Sequence, residues 1–483
     1  MRIILFVAIS LLAIGKMDSA FGQTEDAKPS VYDFKIRGVV LDDTGKPQVE
    51  AVVQTVGIEG RPTYKTKTLG NGGFLLSVPA DGHYGPNLLI TSVDGSLSSF
   101  ISGFDYDTRR RKPFVVKLLP WREVEVRVRD GKNNPVPGAE IVLQAAYQDI
   151  ANAKTAETGV AKLRFPANAK VDWINALKDG VGYDYYENYD KFPTRERLEV
   201  PDKIELVLDG ATPVEVLVQD SQGNPIADVT VAPWTIKKPA KLSSANVGGA
   251  LNRTTDQNGK AVFAWLPKNL DKGVTILPYH EDYHCPAPGH VVPDENGAQV
   301  VLNMLKNAVI RGKVVYPNGT PAAGIRLQGE GRGDTNFYFR GHTKSDENGE
   351  FEIKVYPNQN ILLATTDPDY AASVSGINLA EGEVENVEIK LSEGVLIHGR
   401  LSVGKDNQPA PEQTATLIQE GGGASLVRWS TSDQKGEYSF RVGPGTYTLS
   451  AMDQSTVKLR IAEDFDQKNV VHDFNIAQLP EQP

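Results

Sequence analysis

GKVVYPNGTP, residues 312–321, is an alternating apolar run closed by a polar turn and a proline. The same phrase stands at GVVLDDTGKP (38–47), VRVRDGKNNP (126–135), VLVQDSQGNP (216–225) and RLSVGKDNQP (400–409). Its prolines, Pro47, Pro135, Pro225, Pro321 and Pro409, follow one another by 88, 90, 96 and 88 residues. Solenoid repeats run to about 20–50 residues, so a period this long describes a whole domain copied in tandem.

The fourth copy reads most plainly. Residues 309–316 (VIRGKVVY) alternate as a strand does, and Asn318-Gly319 supplies the positive-φ positions of a tight turn. Pro321 follows at a strand start, where its missing N–H costs no ladder bond. Residues 324–328 (GIRLQ) make the next strand. A second turn at Asp346–Gly349 leads into Phe351, Ile353 and Val355 on one face, and ILLATT (361–366) and VENVEIKL (384–391) complete the unit. The second turn recurs as GNGGFLLSV (70–78), AETGVAKLRF (156–165), TDQNGKAVF (255–263), SDENGEFEI (345–353) and SDQKGEYSF (432–440). The closing strand recurs as FVVKLL (114–119), IELVLD (204–209), AQVVLN (298–303), VEIKLS (387–392) and HDFNIA (472–477).

Six or seven short alternating strands with turns between them predict a two-sheet sandwich. The expected fold class is therefore all-β, five tandem antiparallel β-sandwich domains. Whether their strand order is Ig-like or transthyretin-like is not written in periodicity. The expected sandwiches are 34–120, 121–210, 211–306, 307–393 and 394–483. One stretch, VDWINALKD (171–179), reads as a turn or two of helix. Linkers of a few residues, such as Pro120-Trp121-Arg122 or Gly210-Ala211-Thr212-Pro213, leave little room to pivot and predict a semi-rigid rod.

The N-terminus reads as a secretion signal over 1–22, followed by a linker at 23–33. Arg2 precedes an apolar stretch at 3–14, and Ala20-Phe21-Gly22 offers small residues for cleavage before Gln23. Twelve apolar residues are short for a bilayer span, and no later run is longer, so no membrane span is expected after cleavage. The expected location is extracytoplasmic: periplasm, cell surface or secreted. The single cysteine, Cys285, forbids an internal disulfide, so each unit must hold by packing alone. With 51 basic against 61 acidic residues, the chain lacks the basic face of a general nucleic-acid binder. The basic run Arg109-Arg110-Arg111-Lys112 reads as a solvated loop.

These phrases resemble the carboxypeptidase regulatory-like domain, an Ig-like or transthyretin-like sandwich. Its opening looks like G-x-V-x-D-x-x-G-x-P followed by small and β-branched residues, here 38–47 with Ala51-Val52. Its second mark looks like T-D-x-x-G-x-[FY], here 345–351 and 432–438. The resemblance covers nearly all of the chain beyond the signal. It implies a non-catalytic domain of exported bacterial proteins, and related sandwiches include starch-binding modules. The stretches 170–193 and YHCP (283–286) look like tandem-repeat exported proteins of planctomycete-type bacteria.

Three features invite a chemical reading. In HEDYHCPAPGH (280–290), His280-Glu281-x-x-His284 has zinc-peptidase spacing and His290 stands where a third ligand would fall, with Glu281 as general base. That chemistry needs a helix to put i and i+4 histidines on one face. Here VTILP (274–278) reads as a strand, Pro278 and Pro286 crowd out a helix, and Ala287 replaces the required glycine. The segment also aligns with LLATTDPDYAAS (362–373), an ordinary strand and loop of the fourth unit. The second feature is the aromatic cluster Tyr183, Tyr185, Tyr186, Tyr189 and Phe192, standing where other copies have a short loop. Exposed rings can stack on sugars, with Asp184, Glu187, Asn188 and Asp190 reaching hydroxyls. The plainer reading packs alternate rings as strand or inter-domain contacts. The third feature is acidic turns such as Asp42-Asp43, Asp256–Gly259 and Asp346–Gly349, which fit hairpins better than calcium loops. Arg332-Gly333-Asp334 reads as coincidence. Trp234 and Trp265 are expected in the core of the third unit.

No catalytic, cofactor-binding or metal residue is therefore assigned. The reading is an exported, non-enzymatic array with an envelope protein or polysaccharide as partner and no nucleic acid. The alternatives are carbohydrate binding through 182–193 and a zinc peptidase through His280, His284 and His290.

Overall fold

The computed structural model describes residues 33–56, 63–79, 86–103, 114–188, 198–239, 241–246, 249–294, 297–333, 338–451, 456–464 and 467–476. The expected signal, nearly all of the expected linker, the basic run 109–112, and Tyr189, Asp190, Phe192 and Asp334 lie outside these residues. Among the described residues every regular element is a strand except the 3-10 turn Gly249–Leu251. The fold is all-β, a tandem array of five β-sandwiches, as the repeat predicts.

Each unit begins with an opening strand: Asp33–Leu41, Leu119–Asp130, Val214–Gln219, Ala308–Val315 or Val395–Val403. It lies in the middle of a sheet. On one side, antiparallel, is the strand after the second turn: Gly73–Pro79, Val160–Pro166, Lys260–Phe263, Glu350–Val355 or Glu437–Val442. On the other side, parallel, is the closing strand: Phe114–Lys117, Lys203–Leu208, Ala298–Asn303 or Val384–Lys390, split in the last unit into Asn469–Val471 and Phe474–Ile476. A second, four-stranded antiparallel sheet covers it. In the fourth unit its order is Arg340–Lys344, Arg326–Arg332, Asn360–Thr365 and Ser373–Asn378. The parallel pair is the part of the strand order that alternation does not reveal. It also has a consequence: opening and closing strands run the same way, so the chain enters a unit at one end and leaves at the other.

Two turn phrases recur because they clip each unit shut. The first turn folds back so that its proline bridges the opening strand, as in Leu41↔Pro47, Arg129↔Pro135, Gln219↔Pro225 and Val315↔Pro321. The glycine of the second turn (Gly72, Gly159, Gly259, Gly349 or Gly436) has φ between 70° and 80°. Its carbonyl accepts the N–H of Val40, Val128, Val218, Val314 or Leu401. A buried hydroxyl ties the two turns together. Thr68, Thr155, Thr255, Ser345 and Ser432 each accept the N–H of Ala51, Ala139, Val229, Ile325 or Gln413. Each donates to the carbonyl of Gln48, Val136, Ile226, Ala322 or Ala410. Most buried polar groups in folded proteins are paired in this way.

The opening-strand glycine of the resemblance has its own logic. Gly38, Gly312 and Gly399 face Phe74, Phe351 and Tyr438 across the antiparallel pair. A Cβ on Gly38 or Gly312 would lie 2.7 Å from the facing ring. In the second and third units the same positions pair Val126 with Ala161 and Val216 with Ala261. Volume moves from one strand to the other and its sum is roughly kept, as close packing demands.

Three expectations are corrected. Residues 171–179 are not helical: Val171–Lys178 is a strand buried on both faces, with Asp172 and Asn175 among its buried residues. A strand covered on both sides loses the two-residue alternation and is not separable from a buried helix by pattern. The aromatic cluster does not replace a loop, because Gly182–Glu187 is the outer strand of the second sheet. Trp265 is fully buried in the third core, but Trp234 is exposed. Trp234 follows Pro233 at the end of the strand Thr230–Pro233, on the face opposite the inward residues Val229 and Val231.

Candidate functional site

The segments with the strongest chemical look lie between units. The first two units share a sheet, with Leu97 opposite Pro120 and Ser98 opposite Leu119. Trp121 Nε1 and Arg164 both donate to the carbonyl of Gly95, at 3.0 and 3.1 Å, and the guanidinium of Arg164 lies 4.6 Å from the Trp121 ring. The side chain of Asn168 brackets Phe100, accepting its N–H and donating to its carbonyl.

At the second junction the tyrosine cluster is interior. Trp173, Leu177, Tyr183 and Tyr185 belong to the same apolar cluster as Phe263, Trp265 and Leu266 of the third unit. Tyr183 packs on Trp265 with ring centroids 5.3 Å apart. The Tyr185 hydroxyl donates to the Ser243 carbonyl at 2.7 Å. Burial raises the ionisation of both phenols well above the ordinary range. Glu187 accepts the N–H groups of Leu242 and Ser243, and Lys238 sits 3.0 Å from Asp209 and 3.4 Å from Asp184. Asp149 accepts the Ala250 N–H, and burial raises its pKa. Tyr183 and Tyr185 thus offer no flat face to a sugar; Tyr186 is half-buried against the second core.

The third junction is built from HEDYHCP. The strand Val274–Tyr279 ends, a turn follows, and Tyr283–His284 pairs with Leu305–Lys306. No helix places His280 and His284 on one face, and the strand occupies the same sheet position as Asn360–Thr365, as the internal alignment predicts. His290 pairs with Thr275, and its Nδ1 lies 3.3 Å from the Thr275 hydroxyl. His280 Nδ1 accepts the Asp282 N–H. His284 is buried and stacks on Tyr356 of the fourth unit at 3.7 Å, and burial lowers its pKa to about 4. The carbonyls of Glu281 and Asp282 accept from Asn307, while their carboxylates hold Lys354 at 2.7 and 2.8 Å. Burial raises the pKa of Cys285, whose Sγ lies 3.0 Å from the Ala287 carbonyl.

At the fourth junction the hairpin of Thr414–Gly421 and Ala424–Thr431 reaches back over the fourth unit. Ala424 and Leu426 pack on Leu362 and Ala364. Gln328 donates to the Val427 carbonyl, and Arg428 donates to the Thr365 and Arg441 carbonyls. Arg441 donates to Pro368 and Glu393.

The acidic turns hold backbone rather than metal. Asp42, Asp130, Asp220, Asp256, Asp346 and Asp433 each accept N–H groups two and four residues on. Among the described residues no group of three or more His, Cys, Asp or Glu is placed to hold a metal ion. Sequence reasoning missed the hydroxyl clip, although a Thr or Ser stands four residues before the second-turn glycine in every copy.

No protein-family model matches the chain, and no curated protein matches it in sequence. Among solved structures, a streptococcal ancillary pilin is 12% identical, with 55% of this chain covering 98% of that one at a TM-score of 0.17. A minor pilin of Streptococcus agalactiae is 14% identical over 38% of this chain and 96% of that one, TM-score 0.24. The TIE protein of Bacillus anthracis is 9% identical over 94% of this chain and 76% of that one, TM-score 0.17. Likenesses this faint carry no argument about role. The chain's own strand order defines it as a tandem β-sandwich protein.

Proposed function

We propose that this chain is an exported, non-catalytic scaffold, a stiff spacer that presents or links other components of the cell envelope. One observation carries the reading: at all four junctions, polar and aromatic side chains hold neighbouring units together. The carboxypeptidase regulatory-like type, the secretion signal at 1–22 and the unit limits given above belong to this reading, as does an extracytoplasmic location. Support for the type comes from the glycine–aromatic pairing of Gly38 with Phe74 and Gly312 with Phe351, which joins its two marks physically. Among the described residues no helix is long and apolar enough to cross a membrane.

Small-angle scattering on the chain without residues 1–22 tests the spacer. A compact globule of that length would have a radius of gyration of roughly 23 Å. The array is expected well above that value, with one elongated particle. A globular profile overturns the reading.

A further inference from the structure

Between the third and fourth units lies a cleft of about 730 Å³, within the range of small-ligand sites. Tyr279, Tyr283, Phe339 and Tyr356 give it aromatic walls. Its charged lining is already neutralised from within. Lys354 is paired with Glu281 and Asp282, Glu352 with Arg311 at 2.7 Å, and Arg340 with Glu330 at 3.0 Å. A charged ligand would have to break one of these pairs. Two uncharged polar residues of the lining are nearly buried. His284 and Asn307 are 7% and 9% exposed, and neither His284 Nε2 nor Asn307 Oδ1 has a hydrogen-bond partner. Buried groups of this kind favour a ligand that brings hydrogen-bond donors.

We propose that this cleft binds a neutral, hydroxyl-rich ligand: a short stretch of uncharged glycan. The apolar face of a sugar ring lies against Tyr279 at the mouth, a residue that is 56% exposed. Asn307 Oδ1 and His284 Nε2 are both closed off from the cleft in this structure, so a side-chain shift would be needed to open them to sugar hydroxyls. The site lies at residues 279–307 and 339–356, away from the buried tyrosines of the second junction. It goes beyond the scaffold reading by giving the spacer a point of attachment.

The test is calorimetric titration of the full chain without residues 1–22. The probes are neutral cello-, xylo-, manno- and chito-oligosaccharides, beside an acidic oligogalacturonate. At least one neutral probe is expected to bind saturably. Tyr279→Ala is expected to weaken it by about tenfold or more, while Trp429→Ala in the fifth unit leaves it unchanged. Because burial holds His284 neutral to about pH 4, affinity is expected to be flat from pH 8 to 5. No binding by any neutral probe at millimolar concentration, equal binding by Tyr279→Ala, or preference for the acidic probe overturns the proposal. The scattering result is independent of these outcomes, so the two readings fail separately.

Discussion

Gly349 meets two demands at once. Its φ of 77° suits glycine, and a Cβ there would stand 2.5 Å from the Val314 carbonyl, which the turn is built to face. Gly319 in the first turn has φ of 82° but open space around its Cβ position. Gly319→Ala should therefore cost only the left-handed backbone penalty, about 1 kcal/mol. Gly349→Ala should cost clearly more, because backbone must also move. Hydrogen exchange within the fourth unit reads both, and equal costs would refute the close-approach argument. The glycine–aromatic exchange gives a sharper test. Phe74→Ala should cost about 3–5 kcal/mol as a cavity mutation, and Gly38→Val should destabilise by clash with the Phe74 ring. Together they approach the Val126–Ala161 arrangement of the second unit. The double variant should be less destabilised than the sum of the singles, by 1 kcal/mol or more. Full additivity in urea unfolding would sink the volume argument. Rescue should be partial, since a Cβ on Gly38 also approaches the Phe114 carbonyl at 2.9 Å.

At the scale of elements, alternation identified the strands whose one face meets solvent and failed where both faces are covered. Glu350–Val355 reads correctly because Phe351, Ile353 and Val355 are buried while Glu350 and Glu352 are exposed. Val171–Lys178 does not, because the neighbouring unit buries its second face. The same covering turned Tyr183 and Tyr185 from a candidate sugar platform into a joint. The third junction has a pH signature. His284 is depressed from an ordinary 6.5 to about 4 by burial against Tyr356. A histidine whose folded pKa is lowered contributes stability fully above pH 6.5, and that contribution is lost as pH falls from 6.5 towards 4. The loss amounts to roughly 3 kcal/mol when complete. His284→Phe keeps an aromatic ring on Tyr356 and removes the titration. The thermal midpoint of wild type relative to His284→Phe should thus fall between pH 6.5 and 4, and a constant difference would exclude His284 as the titrating group.

At the scale of the molecule, the parallel pairing of opening and closing strands sends the chain out of each unit at the end opposite its start. Tandem copies are then expected to extend rather than collapse. The last junction modifies this, since the 414–431 hairpin laps back onto the fourth unit through Leu362, Ala364, Ala424 and Leu426. The junctions set the stiffness. Glu187→Ala removes the acceptor for the Leu242 and Ser243 N–H groups. In the scattering experiment it should broaden the distribution of shapes while leaving the sandwiches folded.

The sequence by itself determined the count of units, their all-β character and their two recurrent turns. Each of these depends on contacts near in the chain: alternation within a strand, glycine and asparagine at positive φ, a proline at a strand start. Only the tertiary structure decided the parallel pair, the hydroxyl clip and the fate of 182–187 and 280–290. Those depend on what lies across a sheet or in the next unit, and the same tyrosine or histidine reads identically in a sequence whether water or a neighbouring sandwich covers it.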